Sequence, residues 1–183
     1  MRRTMFVAAF ALGLGMFGCA SETYPMSSRP ELSTVTPSLL SALGVAEGLQ
    51  RRADELEALG DLSAAAASVE AIFAIAFPTG ASDRQDVRLD AYARLGELAL
   101  AGGDLEAAHA AIARGEAEAD RDSYFHARLL LTRGRIEQAQ AAALREVNDP
   151  NARDASLRAI ATLEESIDMN QRVLTALAQE DSP

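Results

Sequence analysis

Residues 92–112, YARLGELALAGGDLEAAHAAI, decide the fold. Tyr92, Leu95, Ala99 and Leu100 recur at helical spacing, Gly102-Gly103-Asp104 interrupts the pattern, and an alanine-rich run from Leu105 to Ile112 restores it. Asp104 stands where a side-chain oxygen caps the first turn of the second helix. The stretch therefore reads as two helices joined by a tight turn. No part of the chain sustains the alternation of a half-buried strand. With 38 alanines and only 5% aromatic residues, the composition favours helix and lacks the bulk of a β-sandwich core. The fold class is all-α.

Working outward, breakers fall at Gly60-Asp61, Pro78-Thr79-Gly80, Asp120 to Asp122, Gly134 and Asn148-Asp149-Pro150-Asn151, marking off about seven helices. Thr36-Pro37 opens the first, with Thr36 as N-cap and Pro37 where a missing N–H costs nothing. Asp61 and Asp149, like Asp104, are placed to cap the helix after their turn, and Ser82 with Gln85 has the spacing of a capping box. Leu49, Ala53, Leu56 and Leu59 give the first helix its apolar stripe, and Gly44 and Gly48 are expected to allow close helix packing.

The stretch 92–112 resembles a tetratricopeptide repeat: Tyr92 and Leu95 fill the core, Gly96 and Ala108 are small where helices approach, Gly103 turns the chain, and Ile112 packs the second helix. Leu49, Ala53, Leu56, Gly60, Asp61, Leu62, Ala65 and Val69 align in the same register. So do Ala127, Leu130, Gly134, Ile136 and Ala139. The turn glycines at 60, 103 and 134 lie 43 and then 31 residues apart, against 34 in the family, and an inserted loop around Pro78 to Ser82 accounts for the first gap. The resemblance implies a short solenoid of antiparallel helix pairs over about 46–147, within an all-helical domain at 37–183. The alternative is an alanine-rich bundle with small residues at its crossings.

The family's binding groove is lined by the exposed face of each first helix. Carried over by register, that places Glu47, Gln50, Asp54 and Glu57 in the groove, then Asp90, Ala93, Glu97 and Leu100, then Arg121, Tyr124, Arg128 and Leu131. Such a groove is acidic at one end and arginine-bearing at the other. It suits an extended peptide or helix of mixed charge, with Tyr124 as an anchor. The competing reading makes these residues a solvated surface. The chain has no lysine, so the lysine-dependent carboxylate clamp of some such repeats is excluded.

The last helix, about 150–179, carries Ile160, Leu163, Ile167, Leu174 and Leu177 on a heptad seam with Asn170 at its polar position. One reading is a long helix that caps the open end of the solenoid. The other is a coiled-coil contact with a second copy, with Asn170 fixing register.

The N-terminus reads as an address. Arg2 and Arg3 precede an apolar run from Met5 to Phe17, too short to span a bilayer core of roughly 30 Å. Met16-Phe17-Gly18-Cys19 resembles the lipobox of bacterial lipoproteins, which implies that residues 1–19 end at an acylated Cys19. Ala20, where many inner-membrane lipoproteins have aspartate, implies an outer-membrane anchor facing the periplasm. Gly18-Cys19-Ala20 also fits ordinary signal cleavage after Ala20, which leaves a soluble exported protein. A Ser/Thr/Pro-rich tether follows over 20–36.

Removing residues 1–19 deletes Arg2 and Arg3 and no acid, leaving 15 basic against 27 acidic residues and a formal charge of −12 instead of −10. That balance excludes a nucleic-acid surface. It also assigns membrane attachment to the lipid, because anionic headgroups repel so acidic a body. His109 and His126 have no second histidine or cysteine at ligand spacing, and no phosphate loop, dinucleotide fingerprint or nucleophile elbow occurs. The expectation is a non-catalytic interaction module without metal or cofactor, whose partner is another protein of the cell envelope.

Overall fold

The computed structural model describes residues 36–180; the expected export signal with Cys19 and the expected tether up to residue 35 lie outside the described residues. These residues form six α-helices and one 3-10 turn, with no strand among them. The helices are α1 (Pro37–Ala58), α2 (Leu62–Glu70), α3 (Asp83–Ala101), α4 (Leu105–Glu118), α5 (Tyr124–Glu146) and α6 (Ala152–Glu180). The 3-10 turn Ala71–Ala74 follows α2 and buries Ile72.

Three connections are built alike. At the end of α1, Gly60 takes φ +81°, its N–H bonds the Glu57 carbonyl, and the Asp61 N–H bonds the Leu56 carbonyl at 2.9 Å. The end of α3 repeats this pair of bonds with Gly103 at φ +78° and Asp104 reaching Ala99. The end of α5 repeats it again with Asn148 at φ 54° and Asp149 reaching Leu144. This double bond satisfies carbonyls left over at a helix end and needs one residue in the left-handed region. Asp61 and Asp104 then cap the next helix, each accepting an N–H at 2.9 Å from Ala64 and Ala107 respectively.

Four local expectations are corrected. Gly134 does not break a helix: α5 runs through it, and the third turn equivalent to Gly60 and Gly103 is Asn148. The Asp149 carboxylate accepts from the N–H of Asn151, two residues on, and so shapes the turn ahead of α6 rather than its first helical turn. Ser82 makes no side-chain cap, because its own backbone is already helical (φ −61°, ψ −33°), and Gln85 Nε2 instead donates to the Glu118 carbonyl at 2.7 Å. At Gly44 and Gly48 an added Cβ would meet nothing within 4 Å, so neither marks a helix crossing.

The core is built between successive helices. Ala53, Ala65, Val69, Ile72, Leu95 and Leu98 join α1, α2 and α3, whereas Leu89, Tyr92, Ala108, Ile112, Leu129 and Ile136 join α3, α4 and α5. Small residues set the spacing. A Cβ on Gly96 would lie 2.9 Å from Ile112 Cδ1, one on Gly115 2.8 Å from Leu129 Cδ1, and one on Gly134 2.6 Å from Leu163 Cδ2.

The last helix packs on α5 alone, through Ala152, Ala155, Ala159, Thr162, Ser166 and Met169. Ser166 donates to the Ala127 carbonyl and Thr162 to Glu137, both at 2.7 Å. The expected heptad seam is therefore not the packed face. Of its members only Leu163 turns inward, onto Gly134, because the alanine stripe lets the backbones approach more closely than leucines would.

Gly44→Ala and Gly48→Ala sit mid-helix with open space beside them, so each should stabilise the fold by about 0.5–1 kcal/mol. Gly134→Val drives branched atoms into Leu163 and should destabilise by about 1–3 kcal/mol. Thermal unfolding followed by circular dichroism should show opposite shifts of the midpoint.

Candidate functional site

Helices α1, α3 and α5 present one connected charged face. Gln50 Nε2 donates to Asp90 Oδ2 at 3.1 Å, joining α1 to α3. Beside them, Arg94 of α3 donates to Asp54 at 2.7 Å and Glu57 at 2.6 Å across the same junction, and lies 3.7 Å from Glu97. From α5, Arg128 donates to both Asp90 and Glu97. Thr132 and Arg135 approach Glu97 at 3.4 and 3.9 Å. Burial pushes the Asp90 carboxyl above its ordinary value, the Arg128 guanidinium opposes this, and Glu97 adds to it.

The structure thus brings together Gln50, Asp54, Glu57, Asp90, Glu97 and Arg128 of the expected groove. Its centre is Arg94, with a side chain only 13% exposed, which the register rule passes over. Three carboxylates at one level, two of them on a neighbouring helix, needed a cation there, and that surplus was its sequence signal. Ala93 is buried, and Leu100 packs into the core shared by α3, α4 and α5. Glu47 stands apart, exposed and paired only loosely with Arg51 at 3.8 Å, and Leu131 is half-buried.

Arg121 and Tyr124 belong to a separate recess of about 550 Å³ between the start of α3, the start of α5 and the end of α6. Asp86, Phe125, Val173 and Leu177 complete its walls. Arg121 Nη2 donates to Asp86 Oδ2 at 2.7 Å, and Tyr124 stands 60% exposed with its ring edge-on to Phe125. The walls combine an aromatic-lined floor with charged rims, which suits an anchoring side chain.

A second polar cluster holds the other side of α3. Arg88 grips Glu118 with two bonds of 2.6 Å, Tyr92 donates to the same carboxylate at 2.7 Å, and the Arg114 guanidinium lies 5.5 Å from the Tyr92 ring centre. Farther along, Arg133 ties Glu116 of α4 to Glu137 of α5 at 2.8 and 2.9 Å. Such forked, charge-assisted bonds tie α3 to α4 and α4 to α5. Among the described residues no three histidine, cysteine, aspartate or glutamate side chains are grouped to hold a metal ion.

Set beside known protein families, curated proteins and solved structures, the chain matches none of them.

The hydrogen bonds from Arg88 hold Glu118 below its ordinary value of 4.5, against the opposing effect of burial. Because the folded-state value is lowered, its stabilisation is complete above the unfolded carboxylate's titration and is lost as pH falls through the folded value. Glu118→Gln should therefore be less stable than the wild type at pH 7, the difference vanishing as pH falls through the folded carboxyl's titration. Arg94→Met leaves Asp54 and Glu57 without their cation at the α1–α3 junction, Glu97 keeping Arg128, and should destabilise by about 1–3 kcal/mol. Urea unfolding monitored by tyrosine fluorescence and helicity would register both changes.

Proposed function

We propose that this chain is a non-catalytic interaction protein of the bacterial cell envelope, anchored by lipid on Cys19 to the outer membrane and facing the periplasm. In this reading α1/α2, α3/α4 and α5/α6 are antiparallel pairs stacked in the manner of tetratricopeptide repeats. The three like connections, 43 and 45 residues apart at Gly60, Gly103 and Asn148, support that pairing over a plain bundle. The spacing is longer than the family's 34 because α3 and α5 have 19 and 23 residues.

One observation carries the reading. The polar side chains of α1, α3 and α5 form a continuous charged face, and α6 packs only on α5, so it does not lie across α1 and α3. A bound segment of mixed charge exchanges ion pairs with Arg94, Arg128, Asp54 and Glu97. Those residues are already fixed in place by one another, which lowers the ordering cost of binding. The recess beside Tyr124 takes one anchoring side chain at the end of the face.

Photo-crosslinking groups placed at Asp54, Tyr124 and Arg128 in cells should capture one common protein, and the same group at Ala110 on α4 should not. Charge reversal by Arg128→Glu should reduce capture at the other two positions by about tenfold. Capture that is the same from Ala110, or unchanged by Arg128→Glu, would sink the assignment. The anchor has its own test: fatty-acid labelling of the full chain should disappear in Cys19→Ser, and label retained in that variant would remove Cys19 from the reading.

A further inference from the structure

Half of the large apolar side chains standing exposed on the described surface lie on α6: Leu157, Ile160, Ile167, Leu174 and Leu177, each between 51% and 66% exposed. They fall on a different side of the helix from Ala152, Ala155, Ala159, Thr162, Ser166 and Met169, which pack on α5. At 100° per residue the two stripes point about 110° apart on average, so a helix seated on the apolar one clears α5. Ile160, Ile167 and Leu174 follow one another at strict seven-residue intervals, the repeat that keeps one seam facing a partner helix through a left-handed supercoil.

The spacing is also symmetric. About Ile167, Ile160 and Leu174 lie seven residues to either side, and Leu157 and Leu177 lie ten to either side. We infer that this stripe is the self-complementary half of a two-fold interface, and that its occupant is α6 of a second copy of this chain, running antiparallel and centred on Ile167. An isologous contact requires each surface patch to meet itself. About that centre Ile167 meets Ile167, Ile160 meets Leu174, and Leu157 comes level with Leu177 across the seam.

Charge agrees with this arrangement. Glu164 of one copy falls level with Asn170 of the other, one residue from Gln171, and no carboxylate on the seam is level with another. Helix dipoles also favour the antiparallel direction. From Leu157 to Leu177 the seam runs about 30 Å, and pairing buries on the order of 1,000–1,200 Å² in all, enough for a specific interface of modest size. A membrane surface is a poorer occupant. The stripe is bordered by Glu164 and Asp168, whereas helices that lie on anionic membranes carry arginine and lysine there. The interface uses a different face from the α1, α3 and α5 surface and shares with that reading only Leu177, which also lines the recess beside Tyr124; Ile160, Ile167 and Leu174, which the test changes, lie outside the recess.

The test uses the full chain with Cys19→Ser, which removes the native thiol and the anchor together. Sedimentation should give twice the 19.4 kDa chain mass at micromolar concentration. Ile160→Glu with Ile167→Glu should return the single-chain mass with helicity unchanged, both side chains being exposed. In the Cys19→Ser parent, a chain with Ile167→Cys should form a disulfide with itself. Chains with Ile160→Cys should link to chains with Leu174→Cys far faster than to their own kind. A single-chain mass for the parent, a dimer that survives the double glutamate change, Ile160→Cys linking chiefly to itself, or flotation of the parent with zwitterionic vesicles that the glutamates abolish would each overturn the proposal.

Discussion

The architecture depends on a residue in the left-handed region followed by an aspartate. At Gly60-Asp61, Gly103-Asp104 and Asn148-Asp149 the pair stops one helix by closing two bonds back onto its last turn. At the first two, the aspartate side chain opens the next helix within the same three residues. Little slack remains in such a connection, so the second helix must pack on the first. Small residues at the contacts then decide how closely they lie. Gly96 under Ile112 and Gly115 under Leu129 admit large side chains from the neighbouring helix, and this is how an alanine-rich chain obtains a dense core with few aromatics.

Much of this was legible in the sequence, for reasons that can be stated residue by residue. Thr36, Asp61 and Asp104 cap the helices assigned to them, because capping depends on local spacing alone. Gly134 was not legible as an interior residue. A glycine marks either a turn or a close approach, and only the position of Leu163 on another helix tells which. Asn148 was read as part of a helix break but not as the equivalent of the turn glycines, since asparagine tolerates the left-handed region less visibly than glycine does. Ser82 and Gln85 have the spacing of a capping box, but Ser82 takes a helical backbone in place of the extended one a cap needs, and Gln85 bonds the Glu118 carbonyl far along the chain.

The charged face was partly legible for a related reason. Gln50, Asp54, Glu57, Asp90 and Glu97 follow from helical periodicity counted back from two real turns. Arg128 was counted from a turn that does not exist, yet it reaches Asp90 and Glu97 because α5 continues through Gly134 along the flank of α3. Arg94 lay outside the count because it sits at the junction between helices, beside the stripe that periodicity selects. Its place is set by the acids of α1, and a tertiary relation of that kind has no local period.

The division of α6 into two stripes follows from what each neighbour can accept. Against α5 the helix offers alanine, serine and threonine, whose hydroxyls bond the Ala127 carbonyl and Glu137, so its polar groups on that side are satisfied. Large side chains on the same side would hold the backbones apart and strand those hydroxyls. They are placed outward instead, where leaving them in water forfeits about 25 cal/mol for each Å² not covered. A second α6 recovers that loss without asking the acidic bodies to touch. Charges set back from the seam by more than about 8 Å are largely screened at physiological ionic strength. Under the lipid anchor proposed at Cys19, confinement to a membrane surface would raise the local concentration of copies, so that a seam of modest area suffices to hold two together.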